Sequence, residues 1–74
     1  MKRSFYHYML TLRGSKIHQA ESQLAYEMAQ DIQFPKQADT YHEVSNYLEL
    51  STDYLENMTL FDHCWDMYLE HNQL

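Results

Sequence analysis

Five histidines and one cysteine are the residues of this chain whose types could hold a metal ion or carry a nucleophile. Their spacing supports neither use. Structural zinc takes paired Cys or His ligands at short intervals, and a zinc hydrolase takes a His-Glu-x-x-His helix. Both patterns are missing from the sequence. His63 and Cys64 are adjacent, but successive positions on a helix point about 100° apart. His63 is therefore expected on the solvent side and Cys64 inward, so they neither share an ion nor form a base–nucleophile pair. Cys64 reads as a small apolar core residue. His7, His18, His42 and His71 are scattered over different elements. No catalytic residue and no metal ligand is expected.

Other reactive arrangements are also lacking. Loops that cradle phosphate need several glycines so that backbone amides can approach the anion, and this chain has only Gly14. Serines and acids are plentiful, yet nothing suggests a strained nucleophile turn or an oxyanion hole. A chain of 74 residues also leaves little room for a concave pocket. The expectation is a protein without enzymatic activity and without a cofactor.

Charge narrows what remains. Five Lys and Arg stand against eleven acids, for a net −6, whereas nucleic-acid affinity comes largely from neutralising phosphates with basic side chains. A nucleic-acid-binding module is thus the alternative reading, and it needs Arg3, Arg13 and Lys16 to converge into a basic patch. The favoured expectation is a protein-interaction module with an unknown protein partner. It has two candidate surfaces. One is the acidic row Asp62, Asp66 and Glu70; the other is the polar side His42, Asn46 and Glu49. Residues 1–20 carry Lys2, Arg3, Arg13 and Lys16 and no acid, whereas residues 21–74 set Lys36 against all eleven acids, +4 against −10. This split allows the two ends to meet and neutralise each other. It also allows head-to-tail self-association.

These residues must be positioned by helices. Tyr41 to Leu50 forms the expected centre, with Tyr41, Val44, Tyr47 and Leu48 on one stripe. Thr40 and Glu43 have the spacing of a reciprocal cap. Ser4 is expected to cap a first helix from Phe5 to about Leu12, ending near Gly14. Phe5, Tyr8, Met9 and Leu12 share one of its faces, Tyr6 and Leu10 widen that surface, and His7 and Thr11 are left to water. The second helix is read over 17–32, with Ile17, Leu24, Ala25, Met28 and Ile32 as its core stripe and Gln19, Gln23, Tyr26 and Gln30 outward. Phe34 precedes Pro35 and is expected to be extended, plugging a gap between helices. Ser51, Thr52 and Asp53 can start a short fourth helix carrying Tyr54, Leu55 and Met58. Thr59 and Asp62 are read as opening the last one. There Leu60, Phe61, Cys64, Trp65, Tyr68 and Leu69 take one half and the acidic row the other.

The sum is an all-α architecture, one domain over residues 1–74 built from about five short helices around an aromatic core. Seven tyrosines and one tryptophan supply its bulk. A lone cysteine allows no internal disulfide and suits a reducing compartment. The run after Lys2 and Arg3 is too short and too polar for a signal peptide or a membrane span, so a cytoplasmic location without membrane contact is expected.

Several short motifs also resemble a known family when taken together and in order. They are Ser4-Phe5-Tyr6-His7-Tyr8, Phe34-Pro35-Lys36, Tyr41-His42-Glu43, Tyr47-Leu48-Glu49-Leu50, Asp53-Tyr54-Leu55, and Phe61-Asp62 with Trp65 and Tyr68. This set is similar to the YozE-type family of small proteins from low-GC Gram-positive bacteria, nearly end to end. The resemblance implies a bundle like the sterile-alpha-motif (SAM) fold. It implies no established activity, ligand or catalytic residue, and fold analogy alone cannot select a function.

Overall fold

Ser4 opens the first helix, its Oγ accepting from the His7 amide at 3.3 Å while it pairs with His7 Nδ1 at 2.8 Å. The computed structural model describes residues 3–71, which leaves Lys2 of the basic N-terminal set outside it. Four helices are present in that range and no strand: α1 (Phe5–Leu10), α2 (Gln19–Gln30), α3 (Tyr41–Leu50) and α4 (Met58–His71). The radius of gyration is 11.2 Å, close to the ~11 Å of a single compact domain this long.

The core is aromatic where α1 meets α4. Phe5 is fully buried and its ring lies 5.5 Å from Phe61, 5.2 Å from Trp65 and 5.6 Å from Tyr68. The contacts with Phe61 and Tyr68 are edge-on, the arrangement favoured by ring quadrupoles. Phe34 is buried, as its place before Pro35 led us to expect. It sits between the rings of Tyr6 at 5.5 Å and Tyr47 at 5.2 Å. Tyr47 is half-buried and belongs to this second ring group, which joins the first through α1. Tyr8, Met9, Leu24, Ala25, Met28, Ala38, Val44, Leu48 and Cys64 complete the interior.

The expected fourth helix does not form, so the bundle has four helices and not five. Residues 51–57 run as an irregular connector. A helix of one or two turns gains little against its nucleation cost, and the local side chains have other partners. Thr52 Oγ1 donates to the Leu48 carbonyl at 2.7 Å, and the Tyr54 hydroxyl reaches across to Asp31 at 2.9 Å. The connector ends at Asn57, whose Oδ1 accepts from the Leu60 amide at 2.8 Å. That makes Asn57 the cap of α4 and starts the helix before Thr59, correcting the expected Thr59/Asp62 cap.

Three further boundaries differ from expectation. α1 stops at Leu10, and residues 11–13 continue in tighter bonds to the third residue back. Gly14 follows with φ +77°, a left-handed conformation that costs glycine nothing. Its amide donates to Ser22 Oγ at 2.8 Å, and the His18 amide donates to Ser15 Oγ at 3.2 Å. These bonds fold the loop back on α2 and delay the helix to Gln19, leaving Ile17 outside it. At the other end Asp31 is extended, drawn off the helix path by its side-chain partners, so Ile32 is excluded as well. Ile17 and Ile32 are each 87% exposed, not part of the core stripe.

Candidate interaction face on the last two helices

Both faces read from the sequence are laid out on α3 and α4. Asp62, Asp66 and Glu70 are all exposed along α4, one turn apart. His42, Asn46 and Glu49 are exposed on α3, and Asn46 Nδ2 donates to His42 Nε2 at 3.1 Å. Arg3 precedes α1, whereas Arg13 and Lys16 follow it, so the three basic residues flank the helix from opposite ends. The Arg3 guanidinium lies 5.5 Å from the centre of the Tyr8 ring, and its carbonyl accepts from the Tyr68 hydroxyl at 2.6 Å. The second contact brings Arg3 onto α4.

The α4 face also has an apolar component that sequence reasoning assigned to the core. Tyr41 is 42% exposed and Leu69 41%. Tyr41 is the first residue of α3, directly after its Thr40 cap, whose Oγ1 accepts from the Glu43 amide at 3.3 Å. From that end position its ring leans over Phe61 and Trp65, at 5.3 and 5.8 Å, and its hydroxyl donates to Asp62 Oδ1 at 2.7 Å. That hydrogen bond to a carboxylate is the main reason the Tyr41 hydroxyl is held above its usual pKa. Asp62, Asp66 and Leu69 follow the i, i+4, i+7 spacing of one helical stripe. The result is a strip of carboxylates bordered by an aromatic and an aliphatic side chain.

No lysine or arginine occurs from Gln37 to the end of the sequence, a stretch that carries eight acids. The strip therefore has no built-in cation from α3 or α4 to neutralise it. His63 on α4 is exposed and turned to Glu21 of α2, Nε2 to Oε2 3.2 Å. Cys64 beside it points inward, as expected, and burial pushes its thiol up to about 12. A thiol so strongly protonated at neutral pH is a poor nucleophile.

Two other places could have carried chemistry. Asp31 Oδ2 accepts from the hydroxyls of Tyr47 at 2.6 Å and Tyr54 at 2.9 Å, while Oδ1 accepts from the Gln33 amide at 3.0 Å. Burial works to raise this carboxyl, but the three hydrogen bonds, with Lys36 nearby, outweigh it and hold the group below the usual range. The same contacts, with burial as the leading cause, push Tyr47 up to about 12 and Tyr54 higher still. The carboxylate is fully partnered and ties α2, α3 and the connector together. Sequence reasoning missed it because Asp31 looks like one more polar residue in a helix tail. The second place is a shallow cleft of about 160 Å³ lined by Arg3, Ser4, Gln37 and Asp39. Among the described residues no group of three or more His, Cys, Asp or Glu is placed to hold a metal ion. No helix among them is long and apolar enough to cross a membrane.

Helix order and an aromatic core define a small all-α domain. More particularly, the chain belongs to the family described as the YozE SAM-like fold, which matches residues 4–70. An Enterococcus faecalis relative named UPF0346 protein is 55% identical over 73 residues, covering 99% of this chain and 100% of that protein. A Bacillus cereus protein of the same name is 47% identical over 70 residues, 95% and 97% of the two chains. A third, from Bacillus velezensis, is 50% identical over 66 residues, 89% of each. The SAM-like all-α expectation thus holds, with one helix fewer.

Proposed function

We propose that this chain is a non-enzymatic protein-interaction module of the bacterial cytoplasm, working through the α4 strip with Tyr41 at its edge. The observation that carries the reading is the exposed acidic row Asp62, Asp66 and Glu70 beside half-exposed Tyr41 and Leu69. Surfaces of this kind suit a partner that brings basic groups to the carboxylates and an apolar group to the Tyr41 edge. The fully protonated Cys64 thiol and the partnered Asp31 carboxylate support a non-catalytic role.

The test is capture of the tagged protein from lysate of its own cells, beside an Asp62→Lys, Asp66→Lys, Glu70→Lys control. A partner is expected with the native chain and lost with the control, more readily as salt rises. Recovery of the same proteins by both chains would reject the strip as the contact face.

A further inference from the structure

The strip does not account for the most exposed aliphatic side chains among the described residues. Ile17 and Ile32 are each 87% exposed and Leu50 is 80% exposed. Burying such side chains is favourable wherever a matching surface exists. They fall at opposite ends of α2, whose twelve residues span about 18 Å. Ile17 lies just before the helix. Ile32 lies just after it, and Leu50 is three residues beyond Tyr47, so both flank the Asp31–Tyr47 hydrogen bond.

The two ends also differ in charge. Ile17 sits next to Lys16, with Arg13 in the same loop, both exposed. Glu21 is the nearby acid, and it is turned to His63. Leu50 sits next to Glu49, with Asp53 just beyond, both exposed. Lys36 is the cation of that end; its ammonium donates to the Ile32 carbonyl at 3.4 Å and lies 5.3 Å from the centre of the Tyr6 ring. One end therefore carries an isoleucine with Arg13 and Lys16 as loop neighbours, and the other carries Ile32 and Leu50 with the carboxylates Glu49 and Asp53 outnumbering Lys36.

From this juxtaposition we propose that the occupant of each end is the opposite end of a second copy. Ile17 of one molecule packs against Ile32 and Leu50 of the next, with Arg13 and Lys16 facing Glu49 and Asp53. Because the complementary surfaces lie on opposite sides of the molecule, the contact is head-to-tail and leaves both outer ends open for further copies. It uses none of Asp62, Asp66 or Glu70, so it stands or falls separately from the α4 strip.

The test is sedimentation of the native chain at low salt from about 10 μM to 1 mM, a range suited to a small interface. The weight-average mass is expected to climb past that of a dimer and to fall when salt is added. Two variants then check the ends, Ile17→Asp and Leu50→Lys, each at an exposed position and each verified to keep native helicity. Either alone is expected to weaken association at least about tenfold. Mixed, they retain one intact end each and are expected to form a one-to-one heterodimer. A native chain that stays monomeric or stops at a dimer, a single variant that still assembles, or a mixture that does not pair would each overturn the proposal.

Discussion

Asp31 is a residue whose local role has a measurable consequence. Its folded-state pKa is depressed, so its contribution to stability is complete above the ordinary carboxylate value of 3.8 and is lost as pH falls through the lower folded value. Asp31→Asn is expected to flatten that part of the acid limb in a plot of unfolding free energy against pH. An unchanged limb would mean the hydroxyl contacts do not distinguish the charged form. Cys64 makes a second case. It is fully buried among apolar groups, so Cys64→Ser should cost about 1–3 kcal/mol by urea melting, the usual penalty for a buried hydroxyl without a prepared partner. Of the two roles, only that of Cys64 was legible in the sequence. The inward turn of Cys64 followed from helical spacing, whereas the Asp31 role needed Tyr47 and Tyr54 brought across from distant positions.

Elements were legible where caps and periodicity agreed, as at Ser4, Thr40 and the body of α4. They were not legible where long-range bonds decide the path. Ile17 and Ile32 fit the α2 period, but Gly14, Ser22 and Asp31 end the helix short of both. Tyr54 and Leu55 fit a fourth helix, but the reach to Asp31 favours an irregular connector. Leu69 fits the α4 core face, yet it is 41% exposed. Two substitutions test these ends. Gly14→Ala meets no atom within 4 Å of the added Cβ, so its cost is conformational alone. About 1–2 kcal/mol is expected for the left-handed backbone, with Gly14→Asn costing less. Asn57→Ala removes the cap of α4 and should cost about 1 kcal/mol by the same melts.

Over the whole molecule, stability depends on rings from separate helices meeting at Phe5. A domain of this length has on the order of 4–11 kcal/mol in total, and Phe5→Ala should remove about 3–5 of them. Loss of cooperative thermal unfolding by circular dichroism is therefore the expected outcome. The sequence indicated this core well, because large side chains recur at helical spacing and Gly and Pro are scarce. It indicated the outer surface less well. Exposure of Tyr41, Leu50 and Leu69 depends on which neighbours happen to cover each helix end, and residue types cannot report that.

The single tryptophan sits where these levels converge, with α1, α3 and α4 all contributing rings around it. Trp65 is nearly buried, yet Tyr41 from the edge of the acidic strip stacks on it edge-on. Its intrinsic fluorescence should therefore shift to the red when the fold opens, and change in intensity when a ligand displaces Tyr41. The chain thus carries its own optical probe for melting and for occupancy of that strip, without any added label.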